Sequence, residues 1–153
     1  MRTPSHPRRD TDQMSARTHY FAYGGNIIAP DMAVRCPDAR EIGVATLPGW
    51  RFSIMRRAYA TIRPDPGAMV LGVLWSITPR CQQTLDDFED IGRGLYHHAA
   101  LEIEGAPALV YLAGDTEPGE ARTGYLTAIV AEAEARGFPA DYVADLRRWL
   151  SPA

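Results

Sequence analysis

The stretch Tyr20-Phe21-Ala22-Tyr23-Gly24-Gly25-Asn26 decides how the rest of the chain is interpreted. With the preceding His19, its aromatic first half through Tyr23 has the composition of a short buried strand. The two glycines and the asparagine tolerate positive φ, so the backbone can turn sharply there with its N–H groups facing outward. Such a loop can hold a carboxylate or a phosphate. By itself, the stretch also fits an ordinary turn at the end of a strand.

The composition is typical of one globular domain. The chain has 153 residues, of which 46% are apolar, and this suits a single domain with its own core. The formal net charge of -3 gives no broad positive field, so nucleic acid and anionic membranes are not expected partners. None of the sixteen basic residues is a lysine, which excludes a lysine nucleophile.

The ordered domain is predicted to span residues 19–153. Residues 1–18 are polar and contain no apolar run, which predicts a disordered tail and makes Met14 an alternative start. No stretch approaches the roughly 20 apolar residues that cross a bilayer. Cys36 and Cys81 form neither a CxxC pair nor a zinc pattern, so a reducing cytoplasm is the expected location.

Turn signals divide the domain into strands and helices. Strands are predicted over residues 42–47, 50–55, 58–62, 69–77, 96–103 and 107–112, with turns at Pro48-Gly49, Pro64-Asp65-Pro66-Gly67 and Glu104-Gly105. Helices are predicted over residues 30–35, from Pro79 to Glu89 with Thr78 as N-cap, from about Arg122 to Gly137, and from Pro139 or Ala140. In the apolar 69–77 strand, Gly72 marks a bulge or the close approach of a ligand. Most successive strands lack helical crossovers, which predicts an α+β domain whose mostly antiparallel sheet curls into a barrel, with helices packed against it.

Glu89 ends the second predicted helix. It follows Leu85 by four residues and lies about 40° from it around the helix axis, so its carboxylate should flank the buried face. Partial desolvation of that carboxylate is expected. The neighbouring Asp86, Asp87 and Asp90 also fit a plain solvated acidic helix end.

Several motifs together resemble the γ-glutamylcyclotransferases of the AIG2-like superfamily. They are, in order, YFAYGGN at residues 20–26, ATLPGWRF, ATI with PGAMVLGVLW, LDDFED followed by GLY, and GYLTAIV with GFPADYVADL. The resemblance implies a small, mostly antiparallel mixed β-barrel with flanking helices, and a reaction that releases 5-oxoproline from a small γ-glutamyl substrate. It also implies a homodimer and the use of no metal or organic cofactor.

The resemblance further implies which residues form the site. Glu89 matches the catalytic glutamate, and the implied substrate-binding residues are Tyr20, Phe21, Ala22, Tyr23, Gly24, Gly25, Asn26, Tyr96 and Tyr125. The chemistry suits a carboxylate, because the substrate's α-amine must lose a proton to attack its own γ-carbonyl and the leaving amine must gain one. Ring closure is intramolecular, so orientation and proton transfer are needed more than a covalent nucleophile.

Three places depart from the family pattern, of which Ile27-Ile28 is expected to matter little. Gly25 stands where the family has serine, which leaves a backbone N–H but no hydroxyl. Asp90 stands where it has glycine, and would raise the pKa of Glu89 if the two carboxylates approached each other. Two functions therefore stay open: a cyclotransferase acting on a γ-glutamyl amine, amino acid or acylated metabolite, and a binding module that has lost turnover.

Other polar residues are weaker candidates for a site. His97 and His98 are adjacent on a predicted strand and point to opposite faces, which disfavours a shared metal. Arg56-Arg57 is predicted to be a solvated pair, of which one member could meet an anionic substrate at the mouth of the barrel.

Overall fold

The computed structural model describes residues 16–115 and 117–150. Most of the predicted tail lies outside these residues. Within them, the first strand already begins at Thr18, and the Arg17 guanidinium donates a hydrogen bond of 3.0 Å to the Ser76 carbonyl.

Within the described residues, five strands and four α-helices form the domain. The strands are β1 (Thr18–Ala22), β2 (Arg40–Ile54), β3 (Ala60–Ile77), β4 (Tyr96–Ile103) and β5 (Ala106–Ala113). The helices are α1 (Ala29–Arg35), α2 (Pro79–Phe88), α3 (Thr123–Ala135) and α4 (Ala140–Arg147), and short 3-10 turns lie at Gly25–Ile27 and Ile91–Arg93.

The strands make one mixed sheet in the order β2-β3-β1-β5-β4. Neighbouring strands are antiparallel except for β1 and β5, which are parallel. The two edge strands, β2 and β4, come into contact, yet within the described residues they do not pair with each other. The predicted α+β class and mostly antiparallel sheet are confirmed, and the sheet is curled without closing into a complete barrel.

Two predicted turns in the β2–β3 hairpin are wrong. Pro48-Gly49 and Pro64-Asp65-Pro66-Gly67 lie inside continuous strands. Pro48 pairs with Met69 while Trp50 pairs with Pro64, so residues 65–68 bulge outward opposite Gly49, whose φ is +86°. The chain instead reverses after β2, at Met55–Tyr59, where the Met55 amide donates to the Tyr59 carbonyl at 2.9 Å.

Gly72 allows strands β1 and β3 to pack closely. A Cβ at this position would lie 2.2 Å from the Ala22 carbonyl oxygen and 2.8 Å from the Phe21 ring. Since real Cβ atoms do not approach so closely, only glycine fits here without displacing β1.

Gly72→Ala is expected to lower the free energy of unfolding by about 2 to 3 kcal/mol, because the added methyl group overpacks the sheet. Denaturant titration measures this loss. Gly92→Ala is the matched control, since a Cβ at Gly92 meets no atom within 4 Å. Equal stability of the two variants would contradict the packing argument.

A disulfide joins Cys36 and Cys81, whose Cα atoms are 5.1 Å apart. Sequence spacing alone gave no sign of this pairing. Cys36 follows the last residue of α1, and Cys81 lies in the first turn of α2, where its amide donates to the Thr78 N-cap hydroxyl at 3.2 Å. The bond therefore fastens together two helices whose C-terminal ends both reach the site described below.

Candidate functional site

A cavity of about 450 Å³ opens beside the end of β1. Its walls come from the β1 loop, from α1, from the end of α2 and from α3. The lining residues are Tyr20, Phe21, Tyr23, Gly24, Gly25, Asn26, Ile28, Asp31, Arg35, Tyr59, Ala60, Phe88, Glu89, Asp90, Leu95, Tyr96, Tyr111, Gly124, Tyr125 and Ala128.

The loop after β1 turns by a mechanism different from the predicted one. None of Gly24, Gly25 and Asn26 has a positive φ. A 3-10 turn reverses the chain instead, with the amides of Ile27 and Ile28 donating to the carbonyls of Gly24 and Gly25 at 3.1 Å each. The first amides of such a turn have no partner inside it, and that of Gly25 faces the Tyr125 hydroxyl.

Asn26 is buried and is held from three directions. Its side-chain amide donates to the Tyr20 hydroxyl at 3.0 Å, and its side-chain oxygen accepts from Arg35 at 2.6 Å. Its backbone carbonyl accepts from the Trp75 indole at 3.0 Å. These bonds connect the loop to β1, α1 and β3, and fix its position against the sheet.

Glu89 is the C-cap of α2 and points into the cavity. Burial raises the pKa of its carboxyl group to about 7, although the positive charge of Arg35 opposes this rise. The negative end of the helix dipole also disfavours the charged form at this place. Its side chain makes no hydrogen bond or ion pair with the other residues that the structure describes. A carboxyl group with such a pKa can both accept and give a proton near neutrality.

Tyrosines form much of the wall around Glu89. The Tyr125 hydroxyl accepts from the Ala60 amide at 3.1 Å, and the Tyr96 hydroxyl donates to the Ala60 carbonyl at 2.5 Å. Burial raises the pKa of Tyr125 to about 12 and that of Tyr96 further still. Both phenols therefore keep their protons at neutral pH.

The structure brings together all but one of the residues implied by the resemblance. Glu89, Tyr96, Tyr125 and the loop residues share the cavity, whereas Ala22 does not line it. Ala22 is buried within the sheet, where its carbonyl faces Gly72. Neither Arg56 nor Arg57 reaches the cavity, and Arg56 pairs with Asp115 at 2.8 Å.

The backbone conformation at Asp90 explains why the resembled family has glycine at this position. Its φ and ψ are 56° and 43°, the left-handed region, which glycine adopts without cost and aspartate adopts more readily than most residues. Asp90 lines the cavity, but burial of Glu89, rather than repulsion from Asp90, raises the Glu89 pKa.

Sequence reasoning missed several lining residues, of which Arg35 is the most consequential. It lies at the end of the predicted first helix, four residues after Asp31, so both occupy one helix face. That spacing was a usable signal. Tyr59 and Tyr111 gave none, because one ends a hairpin turn and the other lies within β5.

His98 has a structural partner. Its Nε2 lies 2.6 Å from the Asp86 carboxylate, which also accepts from the Tyr111 hydroxyl at 2.6 Å. Over residues 16–115 and 117–150, the structure contains no group of three His, Cys, Asp or Glu side chains placed to hold a metal ion. Within the same ranges, no helix combines the length and apolar content needed to cross a bilayer.

Comparison with solved structures supports the fold. A structure described as gamma-glutamyl cyclotransferase superposes with a TM-score of 0.79 at 25% identity, over 90% of this chain and 89% of its own. YkqA from Bacillus subtilis superposes with a TM-score of 0.74 at 22% identity, over 90% of this chain and 57% of its own. The second likeness shows a shared fold alone.

Sequence comparison gives the family. The gamma-glutamylcyclotransferase of Homo sapiens is 27% identical over 143 residues, which cover 84% of this chain and 76% of the relative. The Mus musculus protein of the same name matches to the same extent. The model of the AIG2-like family matches residues 69–146, about half of the chain. The chain belongs to the AIG2-like family.

Proposed function

We propose that this protein is a γ-glutamyl cyclotransferase that releases 5-oxoproline from a γ-glutamyl compound, with Glu89 as general acid and base. The observation that carries the proposal is the position of Glu89, which is partly buried and lines the same cavity as the loop after β1. The names of the human and mouse relatives support the same reaction class.

In the proposed reaction, the Glu89 carboxylate takes a proton from the substrate's α-amine. The amine nitrogen attacks the γ-carbonyl carbon, and a five-membered ring forms with the negative charge on the former carbonyl oxygen. Collapse of this intermediate breaks the bond to the leaving amine, which receives the proton from Glu89. The products are 5-oxoproline and a free amine, so atoms and charge balance without a further reactant.

The oxyanion has two kinds of donor available in the cavity. The backbone amides at the start of the 3-10 turn are the first, apart from the Gly25 amide, which faces the Tyr125 hydroxyl, because the turn itself does not use them. Tyr125 is the second, since its hydroxyl oxygen accepts from Ala60 and its proton stays free for donation. In other enzymes, removing one such donor lowers the rate by about 100- to 1,000-fold.

The test is incubation with a panel of γ-glutamyl compounds, with 5-oxoproline measured by chromatography. The panel contains γ-glutamyl amino acids, γ-glutamyl alkylamines and γ-glutamylated acyl compounds. Formation of 5-oxoproline supports the proposal. Saturable binding without product across the panel would support the binding module instead.

The ratio kcat/KM is expected to rise with pH and to level off above an apparent pKa of about 7, the pKa to which burial raises Glu89 in the free protein. The sign follows because the carboxylate is the form that takes the amine proton. Initial rates at substrate concentrations well below KM, measured across the neutral range, test this. A rate that is independent of pH through neutrality would contradict the assigned role of Glu89.

Gly25→Ser is expected to change substrate preference while leaving the free energy of unfolding nearly unchanged. A Cβ at Gly25 lies 3.6 Å from the Tyr125 ring, an ordinary contact distance, and the new hydroxyl adds a donor and an acceptor to the binding loop. The ratio of kcat/KM between two substrates of the panel measures the change. An unaltered ratio, or loss of all turnover, would contradict a specificity role for this position.

A further inference from the structure

Arg35 is the one permanent positive charge among the described residues that line the cavity. The acidic side chains of Asp31, Glu89 and Asp90 line the same space. The cavity therefore offers negative charge to an amine and, at one place, positive charge to an anion.

The guanidinium group of Arg35 is held in a fixed position. Its Nη1 donates to the side-chain oxygen of Asn26 at 2.6 Å, and its central carbon lies 4.0 Å from the centre of the Phe88 ring. The side chain is only partly buried. These two contacts define both the place and the plane of the group, which lowers the entropy lost when a ligand binds.

Most of the hydrogen-bonding capacity of Arg35 is unused. A guanidinium carries five N–H donors, and within the described residues only one bond from Arg35, to Asn26, is present. Several other arginines form ion pairs, such as Arg80 with Asp38, whereas Arg35 forms none with the residues that the structure describes. An arginine that is fixed in place and still has free donors is well suited to bind a carboxylate through two parallel bonds.

From this geometry we infer that Arg35 binds a carboxylate group of the substrate and so determines which γ-glutamyl compounds are accepted. The inference rests on the proposed function. A γ-glutamyl amino acid has two carboxylates, one on the α-carbon of the glutamyl group and one on the leaving amino acid. The α-carboxylate and α-amine share one carbon, so an α-carboxylate held by Arg35 would keep the amine in the cavity that Glu89 also lines.

Three compounds distinguish the two carboxylates. γ-Glutamyl-alanine has both, γ-glutamyl-alaninamide lacks the one on the leaving group, and 4-aminobutanoyl-alanine lacks the one on the α-carbon. Cyclisation of the third compound is followed as 2-pyrrolidinone, since without the α-carboxylate it cannot yield 5-oxoproline. Arg35→Gln removes the charge with a side chain that can still donate a hydrogen bond, and Arg35→Lys restores the charge without the planar fork. Arg40→Gln is the control, because Arg40 is exposed and lies outside the cavity.

Arg35→Gln is expected to lower kcat/KM by about 10- to 100-fold for each compound that carries the recognised carboxylate, the size typical of a charged hydrogen bond. A loss on the first two compounds alone assigns Arg35 to the α-carboxylate. A loss on the first and third alone assigns it to the leaving group. Equal losses on all three compounds, or none, would overturn the inference, as would a similar pattern for Arg40→Gln.

A binding measurement separates this inference from the proposed function. Affinities for the three compounds are measured by calorimetry and compared between Glu89→Gln and the Glu89→Gln/Arg35→Gln double variant. This measurement does not require turnover. Weaker binding of only the compounds with the recognised carboxylate supports the role of Arg35 even if no 5-oxoproline is formed. Affinities that the second substitution leaves unchanged, or lowers equally for all three compounds, would refute it even in an active enzyme.

Discussion

Glu89→Gln is expected to reduce 5-oxoproline formation by at least about 1,000-fold. The amide keeps the size of the side chain but can neither take a proton from the substrate's amine nor return it to the leaving group, and general acid and base catalysis each contribute about 100- to 10,000-fold. The measurement is a comparison of kcat between wild type and variant with the best substrate of the panel. A variant that turns over normally would rule out the assigned role of Glu89.

The thermal stability of the Glu89→Gln variant shows whether it is still folded. The pKa of the Glu89 carboxyl is raised from 4.5 to about 7 in the folded protein, so the unfolded chain ionises first as the pH rises. The wild type therefore loses stability through this interval, by about 3 kcal/mol at most, and the glutamine variant does not. Unfolding of the variant at pH 8 should accordingly occur at the same temperature as wild type or a higher one, which separates lost chemistry from lost structure.

Asp87→Asn provides a matched comparison for Glu89→Gln. Asp87 lies two residues earlier on α2, is exposed, and does not line the cavity. Its neutralisation also removes one acidic charge from the end of the same helix. Turnover by this variant at the wild-type rate would show that the loss in Glu89→Gln depends on the position of the carboxylate in the cavity.

Reduction of the Cys36–Cys81 disulfide is expected to lower the free energy of unfolding by about 2 to 4 kcal/mol, because the bond closes a loop of roughly 45 residues in the unfolded chain. A loss of this size would lower the melting temperature by the order of 10 °C in a domain of this length. Thermal unfolding with and without dithiothreitol measures the effect.

The Cys36→Ala/Cys81→Ala double variant is the control for the reductant. Its stability should match that of the reduced wild type and should not respond to dithiothreitol. Both sulfur atoms are buried in the described structure, so thiol counts are taken after unfolding without reductant. Two free thiols in the untreated protein would contradict the bond, and one stability for all samples would contradict its contribution.

Local signals predicted the helices well because their ends depend on nearby residues. Thr78 and Pro79 mark the start of α2, and Gly137, with its φ of +79°, follows the end of α3 as a glycine C′ residue should. The Glu104-Gly105 turn between β4 and β5 is confirmed for the same reason, since both residues have positive φ. Each of these signals lies within a few residues of the feature that it determines.

The errors arose where distant residues decide the structure. Pro64 to Gly67 has the composition of a turn, but pairing of β3 with β2 on both sides of Gly49 makes it a bulge. The bond between Cys36 and Cys81 depends on how α1 and α2 pack, which no spacing reveals. Phe88 follows Cys81 and Leu85 at helical spacing, which alone would place it on their buried face, yet 54% of its surface is exposed and its ring lies under Arg35.

The candidate site was predictable in its residue types and only partly in its geometry. The motif around Tyr20 to Asn26 and the position of Glu89 together indicated a two-part site, and both parts line one cavity. The turn that presents the loop was predicted with the wrong backbone conformation. Arg35 was missed because its orientation depends on Asn26, a contact across nine residues that follows from the turn.

The tyrosine-lined wall has a consequence for the optical titration of this protein. Tyr20, Tyr23, Tyr96, Tyr111 and Tyr125 all line the cavity, and burial raises the pKa of each. These five are most of the seven tyrosines in the chain, so ultraviolet absorbance should record little phenolate until alkali opens the fold. The phenols therefore stay neutral and surround Glu89 as dipoles. The charge beside them changes when the Glu89 carboxyl group gains or loses its proton.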